Sequence, residues 1–371
     1  MSKISFIICV IILFFASSKI KSIDISNELY PTSVGLDFNN NTKEYTLYFQ
    51  IINPSYLSKN ENSSNISKLP TFSLKETGKS FYECYNKLNT ITKKRISLRH
   101  MQSLILTNNL LDNSEICINL LLLLIKNPII PTNLYLYATK ENIIDLYNNQ
   151  NILDESSFFS ILNNPQDSNI SSFIYPLTLL QATRDILDNN KMFYIPSLFL
   201  DDKIENSNNE GKVSNNKVFN INGLYFSTID LKFKYFDIEQ INGFNYIYNN
   251  KINALEINDI NDKYFIKIHD IKTDIKIKKD KNILSLTFDG IDLICPYNED
   301  INKINDIIIG HIESKLMNLY ELGNKNNIDI FHIKDYQYRY KKSPNIYKLE
   351  INIKTNFQSI EYYSIMTKVT T

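Results

Sequence analysis

The sequence predicts an α+β protein, with a mixed α/β N-terminal region followed by an antiparallel sheet domain carrying a long packed helix. Three observations point there. Up to about residue 200, short β-branched and aromatic runs alternate with helical segments that have one apolar face. Beyond it, Phe265 to Ile277 and Ile283 to Phe288 alternate apolar and polar residues at period two, as a sheet with one solvated face requires. Asp300 to Leu322 then sets Ile301, Ile304, Ile308, Ile312, Leu316 and Leu319 on one stripe, which marks an amphipathic helix.

Taken in order, Ser33 to Phe38 and Glu44 to Ile52 flank Asn39, Asn40 and Asn41 and form a hairpin. A polar loop from Asn53 to Lys68 follows. Thr71 to Leu74 is a short strand and Lys79 to Leu88 an amphipathic helix. Arg95 to Thr107 reads as one strand, with His100 on the face of Ile96, Leu98, Leu104 and Leu106 and therefore buried. Ser114 caps a helix to about Ile125, whose run Leu120 to Leu124 demands burial. Pro128 and Pro131 precede the strand Asn133 to Ala138 and the helix Glu141 to Tyr147. Ser156 to Leu162 and Pro176 to Leu187 are helical, and Lys191 to Leu200 is extended. Asp201 to Lys217, DDKIENSNNEGKVSNNK, has almost no apolar content and reads as a linker. Past it, Val218 to Lys234 and Asn250 to Ile257 are strand-like, and Lys348 to Phe357 with Ile360 to Met366 make a final strand pair. The expected organisation is a signal or anchor segment at 1–22, an N-terminal region at 23–200, the linker at 201–217 and a C-terminal domain at 218–371.

Lys3, the apolar stretch Ile4 to Phe15 and the small residues Ala16, Ser17 and Ser18 form an export signal, shorter than the ~20 apolar residues that span a bilayer. Export is expected. Lys plus Arg and Asp plus Glu number 40 each, so bulk charge offers nothing to a polyanion and no nucleic-acid partner is expected. Cys9 lies in the apolar N-terminal run, whereas Cys84, Cys117 and Cys295 read as buried thiols without metal or redox spacing.

Candidate chemistry falls away when each motif is held to its physics. Gly78, Lys79 and Ser80 mimic the end of a phosphate-binding loop, but Ser73 occupies the place of its first glycine, and the segment reads as a helix start capped by Ser80 or Thr77. His100, His269, His311 and His332 lack metal-ligand spacing. No Gly-x-Ser-x-Gly occurs, and Lys263 and Tyr264 break the calcium-loop likeness of Asp259, Asn261 and Asp262. Catalytic, cofactor-binding and metal-ligating residues are therefore expected to be none, and no direct small-molecule ligand is inferred. Lys276 to Lys281 reads as the solvated face of a strand. Tyr336 to Lys342, YQYRYKK, is a candidate contact with a membrane surface.

Four segments in order, ETGKSFYECYNKL at 76–88, ISLRHMQSLILTNNLL at 96–111, LLLLIKNPIIPTNLYLYATKENIIDLYN at 121–148 and DLKFKYFDIEQINGFNYI at 230–247, resemble the Ger(x)C family of spore germination proteins. The matching positions are Thr77 to Lys79, His100 with Gln102, Asn127 with Pro128, Ala138 to Lys140, Gly243 and Asp329. The resemblance implies a non-catalytic subunit of a spore nutrient-germinant receptor, partnered with membrane-embedded A and B subunits at the outer face of the spore inner membrane. The different class of function open to the same chain is an exported solute- or peptide-binding protein feeding a transporter, recognisable by a pocket. Ser18 stands near the family's lipidated Cys, and Ile23, Asp24 and Glu28 echo the family residues on its C-terminal side. Serine cannot take the thioether lipid, so retention is expected to rest on an uncleaved N-terminus or on the partners.

Overall fold

In the computed structural model, residues 27–53, 71–149, 162–163, 165, 174–188, 191–201, 217–248, 255–257, 264–277, 282–297, 299–339 and 349–363 are described. The 1–22 segment with Cys9 and Ser18, most of the Asn53 to Lys68 loop and of the Ser156 to Leu162 helix, residues 202–216 and the Asp259 to Lys263 motif lie outside them.

The β-branched and aromatic runs become β2 (Pro31–Asn39) and β3 (Glu44–Ile52), an antiparallel hairpin closed by the Asn39 side chain, whose Oδ1 accepts from Asn41 and Thr42 backbone amides at 2.9 and 3.3 Å. A short β1 (Glu28–Leu29) precedes them, and β4 (Thr71–Gly78) extends the hairpin. Next come α1 (Phe81–Ile91), β5 (Arg95–Ile96), β6 (Ser103–Thr107), α2 (Asn108–Asp112), α3 (Ser114–Ile125), β7 (Tyr135–Thr139), α4 (Ile143–Asn148), α5 (Leu179–Leu187) and β8 (Tyr194–Asp201). β2, β6, β7 and β8 run parallel, so this is an α/β sheet with an antiparallel margin. Period two divides each strand between two layers. Leu104, Leu106, Leu136 and Ala138 join one core with α1, α2, α3 and α5, while Ile105 and Tyr137 join another with Ile143, Leu146 and Tyr147 of α4. α4 lies so close to β2 that a Cβ on Gly35 would come within 2.6 Å of Ile143 Cγ2.

Arg95 to Thr107 is not one strand. β5 pairs with β1 in a separate two-stranded sheet, Leu98–His100 forms a 3-10 turn, and only then does β6 enter the main sheet. The turn reverses the facing assumed from period two: Met101 is buried and His100 is exposed, its ring edge-on to Tyr30 at 4.8 Å.

A described strand stands at each end of the expected linker. β9 (Val218–Ser227) pairs antiparallel with β8 from Asp201↔Val218 to Tyr194↔Phe226, and β10 (Phe233–Asp237) follows beside it. One sheet of order β10-β9-β8-β7-β6-β2-β3-β4 therefore draws its last two strands from beyond residue 217. The strands that end at Asp201 and begin at Val218 are therefore neighbours in that sheet.

A second sheet contains β11 (Leu255–Ile257), β12 (Phe265–Ile277), β13 (Asn282–Pro296) and β14 (Leu349–Tyr363), with α6 (Asn245–Tyr248), α7 (Ile301–Lys325) and α8 (Ile333–Arg339) around it. It is antiparallel through β11, β12 and β13, and β14 joins β13 in parallel. The predicted final strand pair is thus a single strand. Because α7 lies between β13 and β14 in the chain, a parallel return is the geometry such a crossover produces. Ile304, Ile308, Ile312, Leu316 and Leu319 of α7 meet Leu284, Leu286, Phe288, Ile291 and Leu293 of β13, as the stripe predicted. The same core takes in Leu224 and Phe226 of β9, whereas Tyr225 faces the helical layer. Alternation along β9 thus glues the second sheet to the end of the first.

Candidate functional site

Gly78, Lys79 and Ser80 lead from the end of β4 into the start of α1. Ser80 Oγ accepts from Glu83 N at 3.2 Å, and Glu83 reaches back to Lys79 N at 2.9 Å, satisfying two amides that a phosphate would otherwise meet. Phe81, Cys84 and Leu88 are buried on the inner face. Burial raises the Cys84 thiol to about 11 and pushes those of Cys117 and Cys295 up as well, so none of the three has thiolate character near neutrality.

The histidines are dispersed, as expected. His311 lies on α7. His269 sits on the solvent face of the second sheet, where Asp292 accepts from its Nε2 at 2.6 Å and from Ser359 Oγ at 2.6 Å. Here the carboxylate stands between serine and imidazole. A nucleophilic serine needs the imidazole in the middle, so this grouping is a cross-strand bond network. The Lys276 end of the first basic segment is exposed and paired with Asp274 at 3.0 Å, a solvated face as predicted. In the second segment, whose residues 340–342 lie outside the described ones, Tyr336 packs against the core, Gln337 is buried, and Arg339 is held by Asp335 at 2.8 Å and by Asp188. Of its described part, Tyr336 and Gln337 are used inside the fold and Arg339 is exposed. Among the described residues no cluster of His, Cys, Asp and Glu could hold a metal.

The densest polar construction is where the two sheets join. Asp329, buried after α7, accepts from Ile333 N at 2.9 Å and Asp335 N at 3.0 Å and so caps α8. The cap holds His332 at φ +53, a left-handed position. Tyr248 donates to Ile330 O at 2.6 Å and lies 2.7 Å from His332 Nε2. Its one proton goes to the carbonyl, so Nε2–H donates to the phenol oxygen and Nδ1 is the bare nitrogen. That Nδ1 is buried and meets no partner among the described residues, which suits a neutral ring. Burial, with Lys191 second, lowers His332 to about 4, and burial raises Asp329 to about 6 against the pull of its two amides. Across the junction, Lys191 pairs with the buried Asp185 of α5 at 2.7 Å, and Tyr194 meets Tyr248 and Phe244 edge-on at 5.5 and 4.9 Å. Gly243 lies against α7, where a Cβ would stand 3.0 Å from Lys315 O. Asp329 and Gly243, both singled out by the resemblance, are therefore joints of the structure. The bond between Tyr248 and His332 escaped sequence reasoning because no local pattern links residues 84 apart.

A crevice of 280 Å3 opens at the carboxyl ends of β2, β6 and β7, lined by Asp37, Thr107, Asn109, Lys140 and Glu141 among others. The chain leaves β6 toward the layer of α2 and α3 and leaves β7 toward α4 on the opposite face. That makes the gap a topological switch point, where open α/β sheets bind ligands. Much of its polarity is engaged internally: Asp37 Oδ1 accepts from Thr107 at 2.5 Å and Asn109 at 3.2 Å, Thr139 donates to Leu198 O at 3.1 Å, and Lys140 Nζ stands 3.4 Å over the Tyr235 ring.

The family model described as the spore germination protein N-terminal domain matches residues 21–200. A crystal structure described as that of the GerBC protein aligns with 88% of this chain and 96% of its own, at 15% identity and a TM-score of 0.47. No curated protein matches. No described helix is long and apolar enough to cross a membrane. The segments at 76–88, 96–111 and 121–148 that resemble Ger(x)C proteins fall inside the matched span, the last two supplying β6 and β7 of the parallel core, and residues 21–200 belong to the spore germination protein N-terminal domain family.

Proposed function

We propose that the chain is a non-catalytic, exported subunit of a spore nutrient-germinant receptor that works by docking to membrane-embedded A and B subunits at the outer face of the inner membrane. The supporting observation is the family match joined to the role of three of its marked residues: Lys79 N is tied to Glu83 at a helix start, Gly243 packs against α7, and Asp329 caps α8. The test is co-expression of the full chain with its candidate A and B subunits, followed by membrane fractionation, N-terminal sequencing and labelling with palmitate. Retention by the subunits without lipid label supports the reading. Release into the soluble fraction with both subunits present refutes it.

The switch-point crevice favours one second reading, an exported binding protein for a small polar solute. Calorimetric titration of the full chain with amino acids, sugars and short peptides tests it. A heat signal abolished by Asp37→Asn would replace the docking reading with this one.

A further inference from the structure

We propose that the cleft between α3 and the β9–β10 turn seats a basic amphipathic helix of the membrane partner, an inference that rests on the docking reading above. The cleft measures 780 Å3, room for several side chains. Its apolar lining is Ile118, Leu231 and Phe233. The walls are tied together: Ser114 Oγ donates to Leu111 O at 3.0 Å and accepts from Phe233 N at 3.3 Å, and Ile229 N donates to Asn327 O at 3.2 Å. The cleft is therefore preformed, which lowers the ordering cost of binding.

Its rim carries Asp112, Glu115 and Asp230 against Lys232. None of these three carboxylates forms an ion pair among the described residues; Asp112 accepts only from Asn108 Nδ2 at 2.9 Å. A net-acidic rim over an apolar floor selects a cationic, apolar segment and repels an anionic one. It also repels anionic headgroups, so a lipid surface is the wrong occupant.

The track continues past the cleft. Glu115, Asn119 and Leu123 form an i, i+4 row on α3, and Leu123 is 39% exposed. Asn127 then bonds the Tyr82 hydroxyl at 3.2 Å and Ile129 N at 3.0 Å, bringing two more part-exposed apolar side chains beside that row. From Glu115 to Asn127 the rise is about 18 Å, a little over three helical turns, enough for anchors at i, i+3 or i+4, and i+7.

The test uses the full chain co-expressed with the A and B subunits. The double change Glu115→Lys with Asp230→Lys is expected to cut retention about tenfold at 0.15 M salt, with Leu123→Asp doing the same and 0.5 M salt weakening the unaltered chain. Asn119→Lys, at an exposed position, serves if the others melt early. A photo-cross-linker at Asn119 is expected to join a Lys- or Arg-bearing helix of A or B. Equal retention of the folded charge variants, or cross-links to lipid or to a second copy of this chain, overturns the surface while docking stands. If the unaltered chain itself is not retained, docking fails and the surface with it.

Discussion

Asp329 and His332 are buried three residues apart and are predicted to make stability depend on pH in opposite directions. Burial lifts the Asp329 carboxyl to about 6, whereas in the unfolded chain it titrates near 4. The native state therefore holds a proton that the unfolded state has lost, and the stability this group contributes below pH 4 is lost as pH rises through 6. The difference is worth about 3 kcal/mol at about 1.4 kcal/mol per pH unit. His332 is lowered to about 4 from an unfolded value near 6.5, so its contribution is present at neutral pH and is lost on acidification through 4, again about 3 kcal/mol. In the unaltered protein the two slopes nearly offset. Asp329→Asn removes one slope and His332→Asn the other, and asparagine tolerates the left-handed backbone at 332. Urea unfolding followed by far-UV dichroism between pH 4 and 7.5 gives the variant-minus-parent difference, in which all other titrations cancel. On acidification from pH 7 to 4, Asp329→Asn is expected to lose about 3 kcal/mol relative to the parent and His332→Asn to gain about as much. Differences flat within about 0.5 kcal/mol, or slopes of the same sign, would refute the burial of these two groups as charged and neutral partners at the junction.

A Cβ at Gly223 would stand 2.2 Å from Phe236 O, so Gly223→Ala is expected to destabilise by about 2 kcal/mol or more, while Gly310→Ala, with open space at an interior position of α7, should stabilise by up to about 1 kcal/mol; thermal unfolding checks both. Proteolysis within 202–216, where the sequence is most polar, is expected to leave fragments that co-elute, because β8 and β9 remain paired across the cut; separation on gel filtration would argue against that pairing. Cys84, Cys117 and Cys295 should resist alkylation at pH 8 until the chain unfolds, and prompt labelling at any of them, located by peptide mapping, would contradict its burial.

How far the residues speak for themselves depends on the range of the interaction. The α7 stripe, the alternation of β12 and β13, the Ser80 cap and the buried cysteines were legible because each is set by neighbours within a turn or by a period of two or 3.6. The 95–107 segment misled because a 3-10 turn shifts the phase of alternation, and the Gln102 amide bond to Thr32 O that anchors it comes from a distant strand. The DDKIENSNNEGKVSNNK stretch reads as a boundary from its polar composition, which says nothing of the pairing between β8 and β9 on either side of it.

By itself, then, the sequence determined the α+β class, most of the described helices and strands, the resemblance over residues 21–200 and the absence of recognised catalytic motifs, since these rest on local periodicity, capping chemistry and short motifs. Only the tertiary structure decided which strands share a sheet, that β14 returns in parallel, that His100 faces water, that Asp329 and His332 form the junction, and that α3 and the β9–β10 turn enclose a cleft. Those features depend on contacts between residues dozens to more than a hundred positions apart, where burial and the pairing of backbone groups across elements outweigh any local preference.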